Sequence, residues 1–274
     1  MNKNADITIR NTQNGPKPAY AVSLQNVIFS YNDSYNLFQD FSLSINSACL
    51  TAIIGPNGCG KSTLLGLILG WLEPQSGKIF LEGKHQHAYD RKSRGRLIGY
   101  VSQTSRIPFN YSVFEYVLLG RTPHLTPLSM PTKKDGTLCR KALELAGIQK
   151  LSARNLLELS AGELQLVSIA RALAQSPRIL LLDEPASHLD PANTLRLLHL
   201  LTKLVREGIS VIVTSHDPVF VRTAADRAVL LKNGSLLHTG TAEQVITPNA
   251  LTELYGVPFR EADDGEKKYP ILDH

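Results

Sequence analysis

The hydrophobic pattern divides the chain into an early β-rich part, a helical middle and a later part of alternating strands and helices. Short runs that alternate or are rich in β-branched residues, bounded by turn residues, predict strands. These runs are AVSLQNVIFSY from Ala21, FSLSI from Phe41, LTAIIG from Leu50, GKIFLEG from Gly77 and RLIGYVSQ from Arg96. Between them, KSTLLGLILGWL from Lys61 predicts a buried helix.

The second half of the pattern adds a helical insertion and a parallel sheet. From about 107 to 160, SVFEYVLLGR and KKDGTLCRKALELAGI are helical and flank a proline-rich connection. From Ser160 onward helices alternate with apolar strands, which predicts a parallel sheet covered on both faces. Asn233 and Gly234 between two apolar runs predict a hairpin. We therefore predict one α/β domain over 21–259, with a disordered stretch at 1–20 and a flexible tail at 260–274.

Composition and charge narrow the function only slightly. The 274 residues are 43% hydrophobic and 19% charged, with a net charge of +5, which is typical of a globular protein. We interpret the basic stretch RKSRGR at 91–96 as a solvated loop, because no interleaved aromatics accompany it, and predict no nucleic-acid partner. The three cysteines lack the spacing of a metal site, and the most apolar run, 64–72, is too short to span a bilayer.

The stretch GPNGCGKST fits the phosphate-loop pattern, and it follows an apolar strand and opens a helix. Its glycines let successive backbone N–H groups point inward, its lysine adds a cation for the β- and γ-phosphates, and its serine offers a hydroxyl to Mg²⁺. The sequence therefore predicts a nucleotide site formed by Gly55, Pro56, Asn57, Gly58, Cys59, Gly60, Lys61, Ser62 and Thr63.

Two later strand ends carry the polar residues that phosphate chemistry needs. RILLLDEP ends in two adjacent acids, and we assign Asp183 to Mg²⁺ and Glu184 to the attacking water. ISVIVTSHD places His216 at a strand end of the same sheet, where ligands collect in open α/β folds. A lone histidine is more often structural than catalytic, but this position favours a functional role for His216.

The stretch LSAGELQ predicts a second anion-binding helix start. Ser160 is a good N-cap, and Glu163 three residues later completes a capping box. A capped helix N-terminus beside a glycine can receive a phosphate, although the chain already has a better phosphate loop.

These motifs, in this order, resemble the ATP-binding cassette ATPases over residues 21–245, which implies a P-loop NTPase core with an N-terminal antiparallel β subdomain and an inserted helical subdomain. The family implies that Tyr31 stacks on adenine, although an ordinary strand aromatic is the alternative, and that Gln103 contacts Mg²⁺ and the attacking water. It further implies that His216 contacts the γ-phosphate and that Asp190, in ASHLD, lies at a dimer contact.

The resemblance also explains the second anion site. In this family the signature, usually Leu-Ser-Gly-Gly-Gln, faces the phosphate loop of a partner, so ATP lies between the two chains of a dimer. Here Ala161 and Glu163 replace a glycine and the glutamine, while Ser160 and Gly162 are kept. We expect the signature to function, with Gly162 allowing a close backbone approach and Glu163 turned back to cap its helix. A homodimer is then needed for a complete site.

The stretch from Gln103 to His124 resembles ATPases of bacterial importers for siderophores, haem, cobalamin and related metal chelates. That group implies separate polytopic permease chains, an indirect link to a substrate-binding protein, and a peripheral place on the cytoplasmic face of the membrane. An amphipathic helix packed on its own core is the alternative for this stretch. A soluble ABC ATPase that serves Fe–S assembly is the alternative for the whole chain.

Overall fold

The computed structural model describes residues 18–32, 36–103, 110–187, 189–263 and 268–273. The strands are β1 (Tyr20–Phe29), β2 (Phe38–Asn46), β3 (Leu50–Ile54), β4 (Ser76–Leu81), β5 (Lys84–His85), β6 (Ile98–Val101), β7 (Ile179–Leu182), β8 (Ser210–Ser215), β9 (Arg227–Lys232), β10 (Ser235–Thr241), β11 (Phe259–Asp263) and β12 (Lys268–Leu272). The helices are α1 (Lys61–Leu69), α2 (Arg91–Leu97), α3 (Val113–Leu118), α4 (Lys133–Leu145), α5 (Ala161–Ala174), α6 (Pro191–Arg206), α7 (Pro218–Ala224), α8 (Ala242–Val245) and α9 (Pro248–Tyr255). The predicted disorder falls almost wholly on 1–17, outside the described residues.

A central sheet in the order β10-β9-β3-β8-β7-β6 carries the fold. The pairs from β9 to β6 are parallel, and β10 pairs antiparallel with β9 through the turn at Asn233 and Gly234. Both turn residues have positive φ, 49° and 73°, as the predicted hairpin requires. A second, antiparallel sheet in the order β2-β1-β4-β5 forms the N-terminal subdomain. The predicted α/β architecture is therefore confirmed.

The central sheet separates two hydrophobic cores. Side chains alternate between its faces, so β3 sends Ala52 and Ile54 into one core and Ile53 into the other. The first core includes buried residues of α3, α4, α5 and α6, and the second includes α1 and the antiparallel sheet. Because β3, β7 and β8 are parallel, their carboxyl ends meet at one edge of the sheet, and the predicted site residues follow these ends.

Hydrogen bonds join the helical insertion to the carboxyl end of α5. In a 3-10 segment, Leu119–His124, Arg121 donates to the carbonyl of Ala174 (2.6 Å) and pairs with Asp135 at the start of α4 (2.9 Å). His124 Nε2 lies 2.7 Å from the carbonyl of Gln175. Cationic and N–H groups there satisfy carbonyls that a helix end leaves without intrahelical partners.

The predicted loop at 91–96 is wrong, because those residues form α2. Asp90 accepts hydrogen bonds from the backbone N–H and the hydroxyl of Ser93, both at 2.6 Å, which caps the helix. Arg94 and Arg96 lie in the last turn, where cations favour the helix dipole. The many basic residues of this stretch favoured the loop interpretation, so Asp90 was not recognised as an N-cap.

The structure also differs from the expected flexible tail at 260–274. Its described residues include the antiparallel pair of strands β11 and β12, which contact α7 and α9. Phe259 packs against the core and lies 5.9 Å, centroid to centroid, from the ring of Tyr255. In the described ranges, no helix has both the length and the apolar composition of a membrane span.

Candidate active site

The phosphate loop joins β3 to α1. Gly58 and Gly60 have φ of 78° and 110°, and a Cβ at Gly60 would lie 3.0 Å from the ring of Phe38. Glycine is therefore required there by both backbone conformation and space. Gly60 is the N-cap of α1 and provides no side-chain cap, so the first N–H groups of the helix keep their capacity to bind an anion.

Lys61 places its charge inside the loop. Its ammonium group donates to the carbonyls of Gly55 (2.7 Å) and Pro56 (3.2 Å) and lies 3.7 Å from Oε1 of Glu184. The lysine is 6% exposed, so solvent screens its charge only weakly. A buried cation beside backbone donors is suited to the terminal phosphates of a nucleotide.

Some of the remaining loop residues line a cavity, whereas Cys59 packs beneath the loop. A cavity of about 650 Å³ is lined by Asn57 and Thr63, among others, whereas Cys59 is buried beneath the loop. The Cys59 carbonyl accepts the N–H of Gly234 (3.0 Å), which ties the loop to the β9–β10 turn. Burial raises the pKa of the Cys59 thiol, against the opposing effect of Lys61. Cys59 is therefore a packed, neutral residue.

A hydroxyl on each side holds the Asp183 carboxylate. Ser62 donates to Oδ2 (3.0 Å) and Thr214 donates to Oδ1 (2.5 Å). Thr214 also accepts the backbone N–H of Glu184 (2.8 Å), so one side chain positions both acids. Sequence reasoning did not single out Thr214, although it lies in the quoted stretch ISVIVTSHD, near the carboxyl end of β8.

Glu184 is the centre of the polar cluster. Its Oε2 lies 3.0 Å from Nδ1 of His216 and accepts the side-chain amide of Gln103 at 3.2 Å. Glu184 has φ of 48°, a left-handed conformation that costs energy in a non-glycine residue and is common at functional sites. The structure thus brings together Lys61, Gln103, Glu184 and His216 as the sequence predicted.

Tyr31 lies at the edge of the same cavity. It is 68% exposed, its hydroxyl is 2.9 Å from Oγ1 of Thr63, and its ring meets that of Phe29 edge-on at 5.0 Å. An exposed ring beside a phosphate loop is available for stacking on a base. Stacking on adenine remains a prediction.

The signature residues lie apart from this cavity. Both halves of the predicted capping box form: the Ser160 N–H donates to Oε2 of Glu163 (2.9 Å), and the Glu163 N–H donates to the Ser160 hydroxyl (3.3 Å). Hydrogen bonds from the Ser160 N–H and the Ser160 hydroxyl to the carboxylate, together with the charge of Arg154, lower the pKa of Glu163. A Cβ at Gly162 would overlap the amide of Asn193, which in turn donates to Asp190 (2.8 Å). Ser160, Gly162 and Asp190 do not line the phosphate cavity.

The sequence model of the ABC transporter family matches residues 38–187. The chain belongs to the ABC transporter family. It is an ATPase of that family, and its α/β core is the P-loop NTPase fold. The matched region contains the phosphate loop, the signature and both acids, whereas Tyr31 and His216 lie outside it.

Individual relatives extend the similarity to most of this ABC ATPase. The hemin import ATP-binding protein HmuV of Burkholderia thailandensis is 37% identical over 259 residues, covering 88% of this chain and 95% of its own. The iron(3+)-hydroxamate import ATP-binding protein FhuC of Bacillus subtilis is 32% identical, covering 92% and 93%. A solved chain described as a metal-chelate type ABC transporter in an inward-facing conformation superposes with a TM-score of 0.81 at 34% identity, covering 93% and 97%.

Proposed function

We propose that this ABC ATPase powers an importer of a metal chelate such as a siderophore, haem or a cobalamin-like compound. The similarity to hemin and iron-hydroxamate import proteins over almost the whole chain carries the proposal. The similarity in fold and sequence to a chain described as a metal-chelate type transporter also supports it. The chelate would pass through separate permease chains, delivered by a substrate-binding protein that this subunit does not contact.

The catalytic arrangement supports ATP hydrolysis by a positioned water. Glu184 accepts the proton of the attacking water, and His216 holds that carboxylate in place and lies where a γ-phosphate contact is possible. Lys61 and the loop N–H groups bind the phosphates. Gln103 joins the cluster at the border of the helical subdomain.

The donor set also fits magnesium. Asp183 and Ser62 present a carboxylate and a hydroxyl oxygen side by side, and Gln103, which lines the same cavity as Ser62, would add its amide oxygen, a ligand of the kind that Mg²⁺ prefers. Mg²⁺ typically uses one or two carboxylates together with substrate phosphates, so the small number of acids here is appropriate. When bound, the ion neutralises charge on the phosphate oxygens.

We propose that a homodimer completes the site. Ser160 and Gly162 at the N-terminus of α5 would meet the γ-phosphate bound by the partner chain, and Asp190 would lie at the same contact. Their position away from their own phosphate cavity supports this arrangement. The capping box also keeps Glu163 directed at its own helix, which reduces its repulsion of phosphate.

A groove beside the helical subdomain supports docking to a permease at the cytoplasmic face of the membrane. It encloses about 810 Å³ and includes Trp71 and Leu119, which are 66% and 45% exposed. Arg91, Arg94 and Arg171 line it, and none of its described lining residues is acidic. Apolar anchors beside cations, with no acidic residue in the described lining, fit a short permease helix that carries a carboxylate.

Membrane fractionation tests the proposal. The chain should sediment with the membrane when it is co-expressed with the permease encoded beside it, and Arg91→Glu should release it to the supernatant without loss of ATP binding. Lys150→Glu makes the same charge change at an exposed site outside the groove and should leave the chain membrane-bound. A chain recovered only in the supernatant with Fe–S scaffold proteins would refute import.

A further inference from the structure

The last helix of the core, α9, ends beside the catalytic cluster. Thr247 caps its start, Leu251 and Leu254 are buried, and Gly256 ends it with φ of 73°. Both ends are therefore fixed, and the side chain of Tyr255 projects from a rigid support. This helix lies beyond the region that the family model matches.

Tyr255 reaches the backbone of the catalytic histidine. Its hydroxyl donates to the carbonyl of His216 at 3.1 Å. His216 lies in the short connection between β8 and α7, where the Asp217 N–H donates to the Ser215 hydroxyl (3.0 Å) and the Asp217 carboxylate caps α7. The tyrosine thus adds a second tertiary tie to this connection, besides the contact between the His216 ring and Glu184.

The phenol remains a hydrogen-bond donor at neutral pH. Burial raises the pKa of Tyr255, and the negative charges of Asp217 and Glu184 raise it further. The hydrogen bond to the His216 carbonyl places the hydroxyl end of the ring beside the catalytic histidine. A donor held there can fix the histidine backbone without entering the reaction.

We propose that Tyr255 is a positioning residue that sets the His216 ring on Glu184 through its hydrogen bond to the His216 carbonyl. The inference rests on the role proposed above for His216. The His216 side chain is 57% exposed, so surrounding packing restricts its ring only partly. The backbone tie and the 3.0 Å contact with Glu184 therefore determine where the imidazole lies.

Tyr255→Phe tests the inference, because it removes only the hydroxyl and retains the ring packed near Phe259. The full-length chain should show a kcat for ATP hydrolysis reduced about 3- to 10-fold, the range expected for loss of one hydrogen bond. The KM for ATP should stay unchanged, since the phosphate loop is intact.

Tyr89→Phe is the matched control. The Tyr89 hydroxyl donates to the carbonyl of Leu81 at 3.0 Å, a bond of the same kind outside the site. Both variants should lose similar thermal stability, but only Tyr255→Phe should lower kcat. Equal kcat values in the two variants, or a raised KM with normal kcat in Tyr255→Phe, would overturn the inference.

A double-variant cycle separates this inference from the proposed function. In a His216→Ala background, measured under single-turnover conditions, Tyr255→Phe should cause no further loss of rate. Independent, multiplicative losses would overturn the positioning role while leaving His216 as proposed. Normal hydrolysis by His216→Ala itself would refute the histidine's role.

Discussion

Replacing Thr214 by valine should loosen both acids of the site while conserving the shape of the core. Thr214 is fully buried, and its hydroxyl donates to Asp183 and accepts the N–H of Glu184. Valine places a methyl group where the hydroxyl was, so a buried carboxylate oxygen and a buried amide lose their partner. The change therefore isolates the hydrogen bonds from packing.

The expected cost follows from these two bonds. A neutral hydrogen bond contributes about 1 kcal/mol and one to a charged group about 2 kcal/mol, so the free energy of unfolding should fall by about 3 kcal/mol. For a chain of this size the melting temperature should drop by roughly 6–12 °C. Glu184 also loses support for its left-handed backbone, so ATP hydrolysis should fall at least about tenfold.

Urea unfolding and a phosphate-release assay measure the two effects. Thr214→Ser keeps the hydroxyl and should recover most of the activity, which separates the hydrogen bonds from the strand position itself. A Thr214→Val chain with stability within about 0.5 kcal/mol of wild type would refute the reasoning, because the two bonds would then contribute nothing net.

Further variants probe the other parts of the site and the insertion. Glu184→Gln should bind ATP but lose hydrolysis by about 10² or more, since an amide cannot accept the proton of water; near-normal turnover would contradict this. Because it does not hydrolyse ATP, the Glu184→Gln chain should also be trapped as an ATP-bound dimer. Adding Ser160→Arg should return that dimer to monomer in light scattering, and a persisting dimer would leave Ser160 as a helix cap only. Tyr31→Ala should weaken ATP binding by about 1–3 kcal/mol in calorimetry, with triphosphate binding unchanged; equal losses for both ligands would exclude stacking. Burial alone would raise the pKa of Asp135, but hydrogen bonds from Thr132 and the charge of Arg121 outweigh it and lower the pKa to about 2. The free energy of unfolding should therefore decrease as the pH falls from about 4 to about 2. Asp135→Asn should flatten that decrease.

Local motifs predicted the parts of the site that depend on backbone conformation. The glycines of the phosphate loop, the acids after β7 and the capping box at Ser160 each require only neighbouring residues, and all form as expected. Parallel strands then bring their carboxyl ends together, which is why Asp183 and His216 could be placed near Lys61 before any contact was known.

The parts that sequence missed depend on contacts between distant segments. Thr214 looks like an ordinary β-branched strand residue until its hydroxyl meets Asp183, and Tyr255 lies 39 residues from the histidine it contacts. The amide of Asn193 leaves no space for a side chain at Gly162, yet no spacing rule in the sequence connects these two residues. Asp90, by contrast, is a residue type that favours the N-cap position, but the arginines that follow it favoured the interpretation of this stretch as a loop.

Helix α5 has the properties of a lever. Its fourteen residues span roughly 21 Å, with the capping box at one end and the bonds from Arg121 and His124 at the other. Because hydrogen bonds hold both ends of α5, we expect a displacement of the arginine-lined groove, which includes Arg171 of this helix, to move α5 as one rigid unit. A tilt of about 10° about the carboxyl end would shift Ser160 by roughly 4 Å, more than the length of a hydrogen bond. A tilt of this size would be enough to make or break the contact that we propose between α5 and a phosphate bound by the partner chain.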